Sequence, residues 1–263
     1  MTCRARNEDA NEATFAQWCL EPDMAPVGQV RPMRPVVRAG TQSGFTVRLA
    51  PGQKLAKHAT SESVALVGIE GTTSVVAGSR RYQVSEGTCL LMAPGVDHAL
   101  ENTSHEPALL VGIAQWVAES GDGPKVAEPQ AAFVQNERVG ASPGRADAPV
   151  SVDAIPWLLG ATGNGVSWTL LGSGELNMNL VRLEPGEEMG EHVNDAVDVA
   201  LIALVGSADL KIGEEAVALH PGVVAHIPRG SRRRLRAGSL PFGYLTVHRR
   251  RHGLSISRRG KSR

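Results

Sequence analysis

Aromatic side chains, cysteines and long apolar runs are all scarce in this chain of 263 residues. Aromatic residues make up 4% of the sequence, and the three cysteines, Cys3, Cys19 and Cys89, form no C-x-x-C pair. Scattered cysteines in odd number do not support a disulfide framework or a cysteine-based zinc site, and they favour a reducing compartment. No apolar run approaches the roughly 18 residues that a membrane-spanning helix needs.

The chain also lacks an excess charge of either sign, since 27 Lys and Arg balance 27 Asp and Glu. No long-range field therefore draws it to nucleic acid or to a membrane. The first twenty residues are charged and lack the apolar core of a secretory signal, so we expect a soluble, cytoplasmic protein without a membrane partner. Its 29 glycines and 16 prolines are typical of many short strands joined by tight turns.

The strongest pattern is an internal repeat, the sign of a duplicated architecture. The segment Val47–Gly52 (VRLAPG) recurs 134 residues later as Val181–Gly186 (VRLEPG), and His58 maps onto His192 by the same offset. One residue inserted before Val199 changes the offset to 135. The new offset relates Val64 to Val199, Gly78 to Gly213, Gly87 to Gly222, Gly95 to Gly230, Leu100 to Leu235 and Leu110 to Leu245.

Each repeat unit has the pattern of an all-β domain, in which short apolar runs bounded by Gly and Pro predict strands. The predicted strands are Phe45–Leu49, Val64–Ile69, Ser74–Ala77 and Cys89–Met92 in the first unit, and Met178–Leu183, Val199–Val205, Asp209–Ile212 and Val223–Ile227 in the second. Six to eight short strands at this spacing predict a jelly roll or barrel, which closes its exposed edges.

The composition between and around the units predicts the domain organisation. We expect an N-terminal arm at 1–25, a first barrel at 26–118, a linker at 119–150, a second barrel at 151–250 and a basic disordered tail at 251–263. A short helix is predicted within the linker, near Ala131–Glu137.

The glycines and histidines of the repeat resemble the two motifs of the cupin superfamily, whose members are RmlC-like jelly rolls. The matching residues are Gly52, His58, Gly71, Gly87, Gly95, His98 and Asn102 in the first unit, and Gly186, His192, Gly206, Gly222, Pro228 and Gly230 in the second. The resemblance implies a bicupin, an all-β protein of two tandem cupin-type β-barrels that arose by internal duplication. Each barrel would have a central pocket.

In metal-binding cupins, two histidines and a glutamate of the first motif and a histidine of the second hold a divalent transition metal. The first unit keeps His58 and His98, but Thr60 and Val64 stand at the other two positions. Glu62 could supply a carboxylate if the turn before Val64 folds inward. The structural alternative is that the two imidazoles hydrogen-bond across the pocket with Thr60 as their partner.

The second unit departs further from the motif. His192 is kept, but Asn194 replaces the second histidine, Asp198 or Val199 replaces the glutamate, and Arg233 replaces the last histidine. The resemblance therefore implies degenerate metal sites. It predicts no cofactor or, if one is present, a single divalent transition metal in barrel 1 at His58 and His98.

Arg233 has the sharpest consequence among these replacements. At about 4 Å and an effective dielectric near 20, its repulsion of a divalent ion would be ~8 kcal/mol. We predict that the side chain enters the second barrel and forms an ion pair with Asp198 or Asp195. The alternative is a guanidinium fork that binds a carboxylate or phosphate of a small anionic organic molecule.

Three functional hypotheses follow. The first is a small-molecule-binding or structural bicupin whose ligand lies in the first barrel. The pocket residues of the two barrels would be His58, Thr60, Glu62, His98, His192, Asn194, Asp198 and Arg233. The second is a metal-dependent cupin enzyme, a hydrolase, decarboxylase or dioxygenase acting on a small organic acid. The third, a regulator that contacts nucleic acid through the basic tail, has the least support.

Two further features leave details open. The run Asn177–Leu180 is similar to that of the ureidoglycine aminohydrolase type of bicupin, which keeps its metal in the second barrel, where Asn194 and Arg233 oppose one here. His220 and His226 lie at no ligand position of the family and are interpreted as structural. The sequence does not decide between a monomer and a homodimer.

Overall fold

A computed structural model describes residues 16–19, 33–39, 42–115, 150–160, 167–172 and 176–250. The helix predicted near Ala131–Glu137, most of the N-terminal arm and the basic tail lie outside the described residues. No helix within the described ranges is long and apolar enough to cross a membrane.

Twenty strands and one short helix make up the described structure. The first ten strands are β1 (Ala16–Cys19), β2 (Met33–Ala39), β3 (Gln42–Leu49), β4 (Lys54–His58), β5 (Ser63–Glu70), β6 (Thr72–Ala77), β7 (Arg80–Ser85), β8 (Thr88–Met92), β9 (His98–Glu101) and β10 (Ala108–Gln115). The remaining elements are β11 (Val150–Asp153), α1 (Ile155–Gly160), β12 (Ser167–Gly172), β13 (Leu176–Leu183), β14 (Glu188–Val193), β15 (Val199–Val205), β16 (Ala208–Ile212), β17 (Glu215–Leu219), β18 (Val223–Ile227), β19 (Arg232–Ala237) and β20 (Phe242–Arg249).

These strands form two barrels, each built from a six-stranded and a four-stranded antiparallel sheet. Barrel 1 has the large sheet β11-β8-β5-β10-β3-β2 and the small sheet β4-β9-β6-β7. Barrel 2 has the large sheet β1-β18-β15-β20-β13-β12 and the small sheet β14-β19-β16-β17. Strands β3 to β10 recur in the same order as β13 to β20, so the predicted all-β fold of two tandem cupin-type barrels is confirmed.

The cross-strand register confirms the predicted alignment over most of the repeat. His58 pairs with His98 on β4 and β9, and His192 pairs with Arg233 on the equivalent strands β14 and β19. Arg233 therefore stands where barrel 1 has His98, as the 135-residue offset predicts.

The predicted equivalence of Leu110 and Leu245 is wrong by one residue. Leu110 pairs with Val47, whereas the matching Val181 pairs with Tyr244. The segment from Arg236 to Phe242 is one residue shorter than the matching segment from Glu101 to Ala108, which restores the 134-residue offset. A slip of one residue turns a strand over, so Tyr244 faces the inside of barrel 2 and Leu245 faces outward.

The barrels exchange edge strands. β1 precedes barrel 1 in the chain but pairs with β18 of barrel 2, and β11 pairs with β8 of barrel 1. β1 and β11 are related by the same 134-residue offset as the rest of the repeat. The duplication therefore includes 16–19, which the sequence assigned to an arm, and 150–153, at the predicted boundary between linker and barrel 2. The domain boundaries themselves stay a prediction.

Three apolar cores hold this arrangement together. One fills barrel 1 around Leu49 and Leu66, and another fills barrel 2 around Leu183 and Leu201. The third lies between the two large sheets. It includes Leu158 of α1, which packs so closely on β20 that a Cβ added to Gly243 would lie 2.7 Å from its Cδ1. Burial of these side chains provides the main stabilisation of the fold.

Candidate ligand sites in the two barrels

The two histidines of barrel 1 lie side by side on its inner face. His98 shares a face of β9 with Leu100, which belongs to the barrel core. The β4–β9 register shifts between Leu55 and His58, and this irregularity brings His58 opposite His98. Local irregularities of this kind re-aim side chains. The ring centroids are 4.2 Å apart, and the two rings are tilted against each other.

Backbone hydrogen bonds set the protonation pattern of both rings. His58 Nδ1 lies 2.8 Å from the carbonyl oxygen of Ala56, and His98 Nδ1 lies 2.9 Å from that of Val96. A carbonyl oxygen only accepts, so each neutral ring carries its proton on Nδ1 and keeps a lone pair on Nε2. Burial lowers the pKa of His98 and outweighs the hydrogen bond to Val96, which raises it. In its neutral form, each ring thus offers Nε2 as a hydrogen-bond acceptor.

Thr60 and Glu62 take a different place from the one the sequence suggested. Thr60 Oγ1 donates to the backbone carbonyl of Glu62 at 3.0 Å, so this hydroxyl proton is not shared with the imidazoles. Both residues are half-buried and lie just before β5. The turn is therefore held by its own backbone and side-chain contacts.

The rest of the partly exposed inner wall of barrel 1 is apolar. Phe45, Leu55, Tyr82 and Val96 are half-buried and pack against the barrel core. The tip of the Phe45 ring approaches Gly112 so closely that an added Cβ would lie 2.1 Å from Cζ. Glycine at this position therefore leaves room for the aromatic ring.

The residues of barrel 1 do not fit a protein-held metal ion. Nowhere in the described ranges do three His, Cys, Asp or Glu side chains come together as metal ligands would. A transition-metal site of the 2-His-1-carboxylate type needs a carboxylate in addition to His58 and His98. The metal hypothesis therefore lacks its third protein ligand in this arrangement.

In barrel 2 the corresponding pair is an arginine and a histidine. His192 Nδ1 lies 2.9 Å from the carbonyl oxygen of Gly190, as in the histidines of barrel 1, and Arg233 Nε donates to His192 Nε2 at 3.1 Å. Arg233 is partly buried, and its charge acts on Tyr244 of the barrel core. The arginine thus enters the barrel side of β19.

Of the two acidic residues proposed as partners of Arg233, one forms another hydrogen bond and the other is exposed. Asp198 Oδ1 accepts a hydrogen bond from the backbone N–H of Arg229 at 2.8 Å, and Asp195 is exposed. The ion pair with Asp198 or Asp195 stays a prediction. Asn194 is 6% exposed and accepts from the backbone N–H of Ala196 through Oδ1, at 3.1 Å.

A polar cluster on the inner face of barrel 2 was missed by the sequence reasoning. Asn179 Nδ2 lies 2.8 Å from His248 Nε2 and 3.3 Å from Thr246 Oγ1. These residues share their strand faces with Val181 and Tyr244 of the barrel core. The alignment of Leu110 with Leu245 had placed Thr246 and His248 on the opposite face. Following the 134-residue offset through β20 would have found them.

Two surface concavities lie away from these residues. One of about 100 Å³ lies beside α1 and includes Leu158 and Arg182. The other, of about 200 Å³, lies on the outer face of the small sheet of barrel 1 and includes Lys54 and Arg81. Neither concavity includes His58, His98 or His192, so the candidate sites on the inner faces of the barrels are distinct from both concavities.

Comparison with known proteins places the fold. Residues 45–114 match the family model described as Cupin domain. A salicylate 1,2-dioxygenase from Pseudaminobacter salicylatoxidans superposes with a TM-score of 0.67 and 14% identity, covering 91% of this chain and 85% of that one. Protein YlbA from E. coli gives a TM-score of 0.66 and 14% identity, covering 97% of both chains.

A cupin 2 conserved barrel domain protein from Leptotrichia buccalis is similar at a TM-score of 0.60 and 13% identity, covering 83% of this chain and 88% of that one. Comparison with the sequences of curated proteins gives no match. At these identities the solved structures establish the fold and not the activity. Residues 45–114 thus match a cupin domain, and the strand order of both barrels gives the chain the fold of a two-barrel cupin.

Proposed function

We propose that this protein binds a small organic molecule in barrel 1, through the paired Nε2 atoms of His58 and His98. The observation that carries the proposal is the anchoring of both Nδ1 atoms on backbone carbonyls. Each ring is held in one tautomer, and two acceptor nitrogens lie side by side. The two acceptors are preorganised for a hydrogen-bond donor of the ligand, which reduces the entropy cost of binding.

The surroundings of the two histidines favour a ligand with an aromatic or apolar body and a hydroxyl group. The hydroxyl would donate to an imidazole Nε2, and the body would pack on Phe45, Leu55 and Tyr82. Solved structures of the salicylate dioxygenase include adducts with gentisate, which makes hydroxybenzoates reasonable probes. The similarity of fold suggests the probes and does not carry the proposal.

Direct titration with defined compounds tests this proposal. We expect phenol, salicylate and gentisate to raise the melting temperature, and anisole, which lacks the hydroxyl donor, to do so less. His58→Leu and His98→Leu should remove the shift, because each deletes an acceptor. His220→Ala is the matched control, since His220 is exposed and belongs to barrel 2. A shift that survives both leucine variants would contradict the proposal, and no shift with any compound would favour a structural role.

The pH dependence gives a second measurement. Protonation of Nε2 converts an acceptor into a donor, so hydroxyl binding should weaken as the pH falls. Because the pKa of His98 lies below its ordinary value, the loss should occur below the range in which an exposed histidine titrates. Binding that strengthens on acidification would indicate a charged imidazole as the recognising group instead.

The second candidate is a metal-dependent enzyme in the same barrel. What favours it is that both rings use Nδ1 for a backbone carbonyl and have centroids 4.2 Å apart, so two nearby Nε2 atoms could serve as ligands. Bound metal would supply Lewis-acid or redox chemistry, but the carboxylate it needs is not in place. We expect less than one equivalent of Fe, Mn, Ni or Zn in protein purified without chelators. One full equivalent by elemental analysis, lost in the double variant His58→Ala/His98→Ala, would establish the enzyme hypothesis instead.

A further inference from the structure

The outer face of the small sheet of barrel 1 carries a concavity of about 200 Å³ that the two histidines do not reach. We infer that this concavity binds a phosphate monoester with a small apolar body, through the guanidinium of Arg81. The inference is independent of the proposal for barrel 1, because the concavity and the histidine pair lie on opposite faces of the same sheet.

Short side chains on neighbouring strands form the floor of this concavity. Ser74 and Val76 on β6 alternate with Val75 and Ala77 of the barrel core, so they face outward. Ala99 on β9 lies opposite Val76 in the register and lines the concavity beside it. The floor is therefore shallow and apolar, apart from the hydroxyl of Ser74.

Cationic side chains stand on both sides of the floor. Lys54 and Lys57 are on β4 and Arg81 is on β7, and these two strands are the edges of the small sheet. Each lysine forms an exposed ion pair at 2.8 Å, one with Glu101 and the other with Asp97. Exposed pairs of this kind contribute little to stability, so either ammonium group can exchange its carboxylate for a bound anion. With both carboxylates counted, one cation remains in excess.

Arg81 provides that excess charge. Its Nη1 donates to Ser74 Oγ at 2.6 Å, and this hydroxyl is a neutral acceptor. Among the ion pairs formed within the described ranges, none includes Arg81. A guanidinium has five N–H donors, so the bond to Ser74 holds one and leaves others for a ligand. The bond fixes the arginine beside the floor and does not cancel its charge.

Ser74 offers a second donor at the same place. It is 2% exposed and lines the concavity. Its hydroxyl accepts from Arg81 and thereby keeps its own proton for another acceptor. Within the described part of the chain, no contact of Ser74 uses that proton. An oxygen of a bound anion would supply the acceptor that this buried donor lacks.

The matching sheet of barrel 2 shows that the fold does not require this arrangement. There the two lysines are replaced by acids, the arginine by alanine and the floor alanine by arginine: Glu188, Glu191, Ala216 and Arg234 stand at the positions of Lys54, Lys57, Arg81 and Ala99. A requirement of the barrel itself would apply to both copies. The cationic rim over an apolar floor is therefore particular to barrel 1.

The chemistry of the lining indicates the class of ligand. Phosphate oxygens accept from the planar fork of an arginine and from the point charge of a lysine, and Arg81 stands opposite Lys54 and Lys57 across the floor. A short alkyl group attached to the phosphate would pack on Val76 and Ala99. The volume is below the roughly 300–1,000 Å³ of pockets for drug-sized ligands, so the apolar body is small.

Calorimetric titration at constant ionic strength tests the inference, with n-propyl phosphate, inorganic phosphate and the uncharged trimethyl phosphate as probes. We expect saturable binding of the two anions, tighter for propyl phosphate because of the apolar floor, and no binding of trimethyl phosphate. Arg81→Ala should lower the affinity for propyl phosphate at least tenfold. Arg80→Ala is the matched control, since Arg80 is an exposed neighbour on β7 that does not line the concavity.

Further variants separate the parts of the site. Arg81→Lys keeps the charge without the fork and should bind propyl phosphate with intermediate affinity. Ala99→Leu fills the floor and should remove the preference for propyl phosphate over inorganic phosphate. His58→Leu should retain the affinity of the parent protein, because it alters only the opposite face of the sheet.

Several results would overturn the inference. These are unchanged affinity in Arg81→Ala, equal losses in the Arg80 and Arg81 variants, equal binding of trimethyl phosphate, and the absence of saturable binding of either anion. Equal affinity of the parent protein for propyl phosphate and inorganic phosphate would exclude a role for the apolar floor. Loss of propyl phosphate binding in His58→Leu would place the anion inside barrel 1 and likewise overturn the inference.

Discussion

Barrel 1 and barrel 2 have the same strand order and nearly the same register, yet their inner faces have opposite chemistry. Barrel 1 presents two imidazoles and half-buried apolar side chains, whereas barrel 2 presents an arginine, a tyrosine and an asparagine–threonine–histidine cluster. The closed parts of both barrels keep apolar residues at matching positions, such as Leu49 and Leu183. Several of the differences lie at partly exposed positions, such as Asn179, Thr246 and Arg233, whereas Tyr244 lies in the core.

This contrast follows from how a barrel uses its inward positions. Residues deep in the barrel must fill space, so substitutions there cost packing energy and the apolar character is kept. Residues nearer the opening are partly solvated, so a change from Phe45 to the Asn179 of the other barrel costs less. A duplicated barrel can thus keep its fold while one copy acquires a different pocket.

The largest expected loss of stability tests whether the two barrels are equivalent at one glycine turn. Gly71 and Gly206 have φ values of +65° and +71°, and a Cβ on either would lie 2.2 Å or 2.1 Å from a proline carbonyl oxygen. Left-handed backbone costs an alanine about 1–2 kcal/mol, and the clash adds to it, so Gly71→Ala and Gly206→Ala should each destabilise by about 3–5 kcal/mol. Denaturant unfolding measures both.

Two other glycines provide the control for that pair. Gly78 and Gly213 also have positive φ, but nothing lies within 4 Å of a Cβ added to either. Their alanine variants should lose about 1–2 kcal/mol, the conformational cost alone. A mild effect at Gly71 with a severe one at Gly206, or the reverse, would show that the two barrels are not equivalent at this turn.

The next effect concerns the layer between the barrels. Leu91 on β8 and His226 on β18 stand at matching positions, and both are almost fully buried. Leu91→His should destabilise by about 3 kcal/mol, because it buries a second imidazole in an apolar interface. Leu91→Met keeps the apolar volume and should cost less than about 1.5 kcal/mol. Equal losses in these two variants, measured by chemical denaturation, would argue against an apolar environment at Leu91.

The reverse exchange should stabilise the protein. His226 is 2% exposed, and neither ring nitrogen has a hydrogen-bond partner in the structure. His226→Leu installs the residue of the matching position and removes a buried polar group, so we expect a gain of about 1–3 kcal/mol. His220→Leu, at an exposed position, should change stability little. A loss of stability in His226→Leu would show that the imidazole has a structural role in the interface.

The same substitution should change the pH dependence of stability. Burial lowers the pKa of His226, against an opposing effect of Asp198. In the unfolded chain histidine titrates near pH ~6.5, so below that pH the unfolded state binds more protons and the folded state loses stability until its own, lower pKa is reached. Unfolding of the parent protein between pH 7.5 and about 5 should therefore show a loss that is smaller in His226→Leu. Parallel curves for the two proteins would exclude His226 as a source of acid sensitivity.

The smallest expected change in stability concerns the outer face of β19. Arg234 and Glu188 form an exposed ion pair with N and O atoms 3.7 Å apart. Pairs of this kind contribute about 0.5 kcal/mol or less, so Arg234→Ala should leave the unfolding midpoint nearly unchanged. Thermal denaturation at low and high salt would detect a larger role, and a clear loss of stability in low salt would contradict the prediction.

The duplication, the all-β fold and the matching of His58, His98, His192 and Arg233 could be predicted from the sequence. They depend on local signals: Pro-Gly turns, short apolar runs and glycines kept in phase, all of which act within a few residues. The exchange of β1 and β11 could not be predicted, because strand partners across a long separation leave no local signature. Tertiary structure decided which barrel each edge strand joins.

For the candidate sites, too, the sequence determined some features and the tertiary structure decided others. The residue types at the motif positions, which predict degenerate metal sites, follow from the sequence alone. The polar cluster of Asn179, Thr246 and His248 depended on a single missing residue in a loop, which reverses the face of β20. Likewise, Arg233 contacts His192 because paired strands bring residues 41 positions apart in sequence into register. Short-range propensities determine which strands form, whereas register and sheet packing decide which side chains meet.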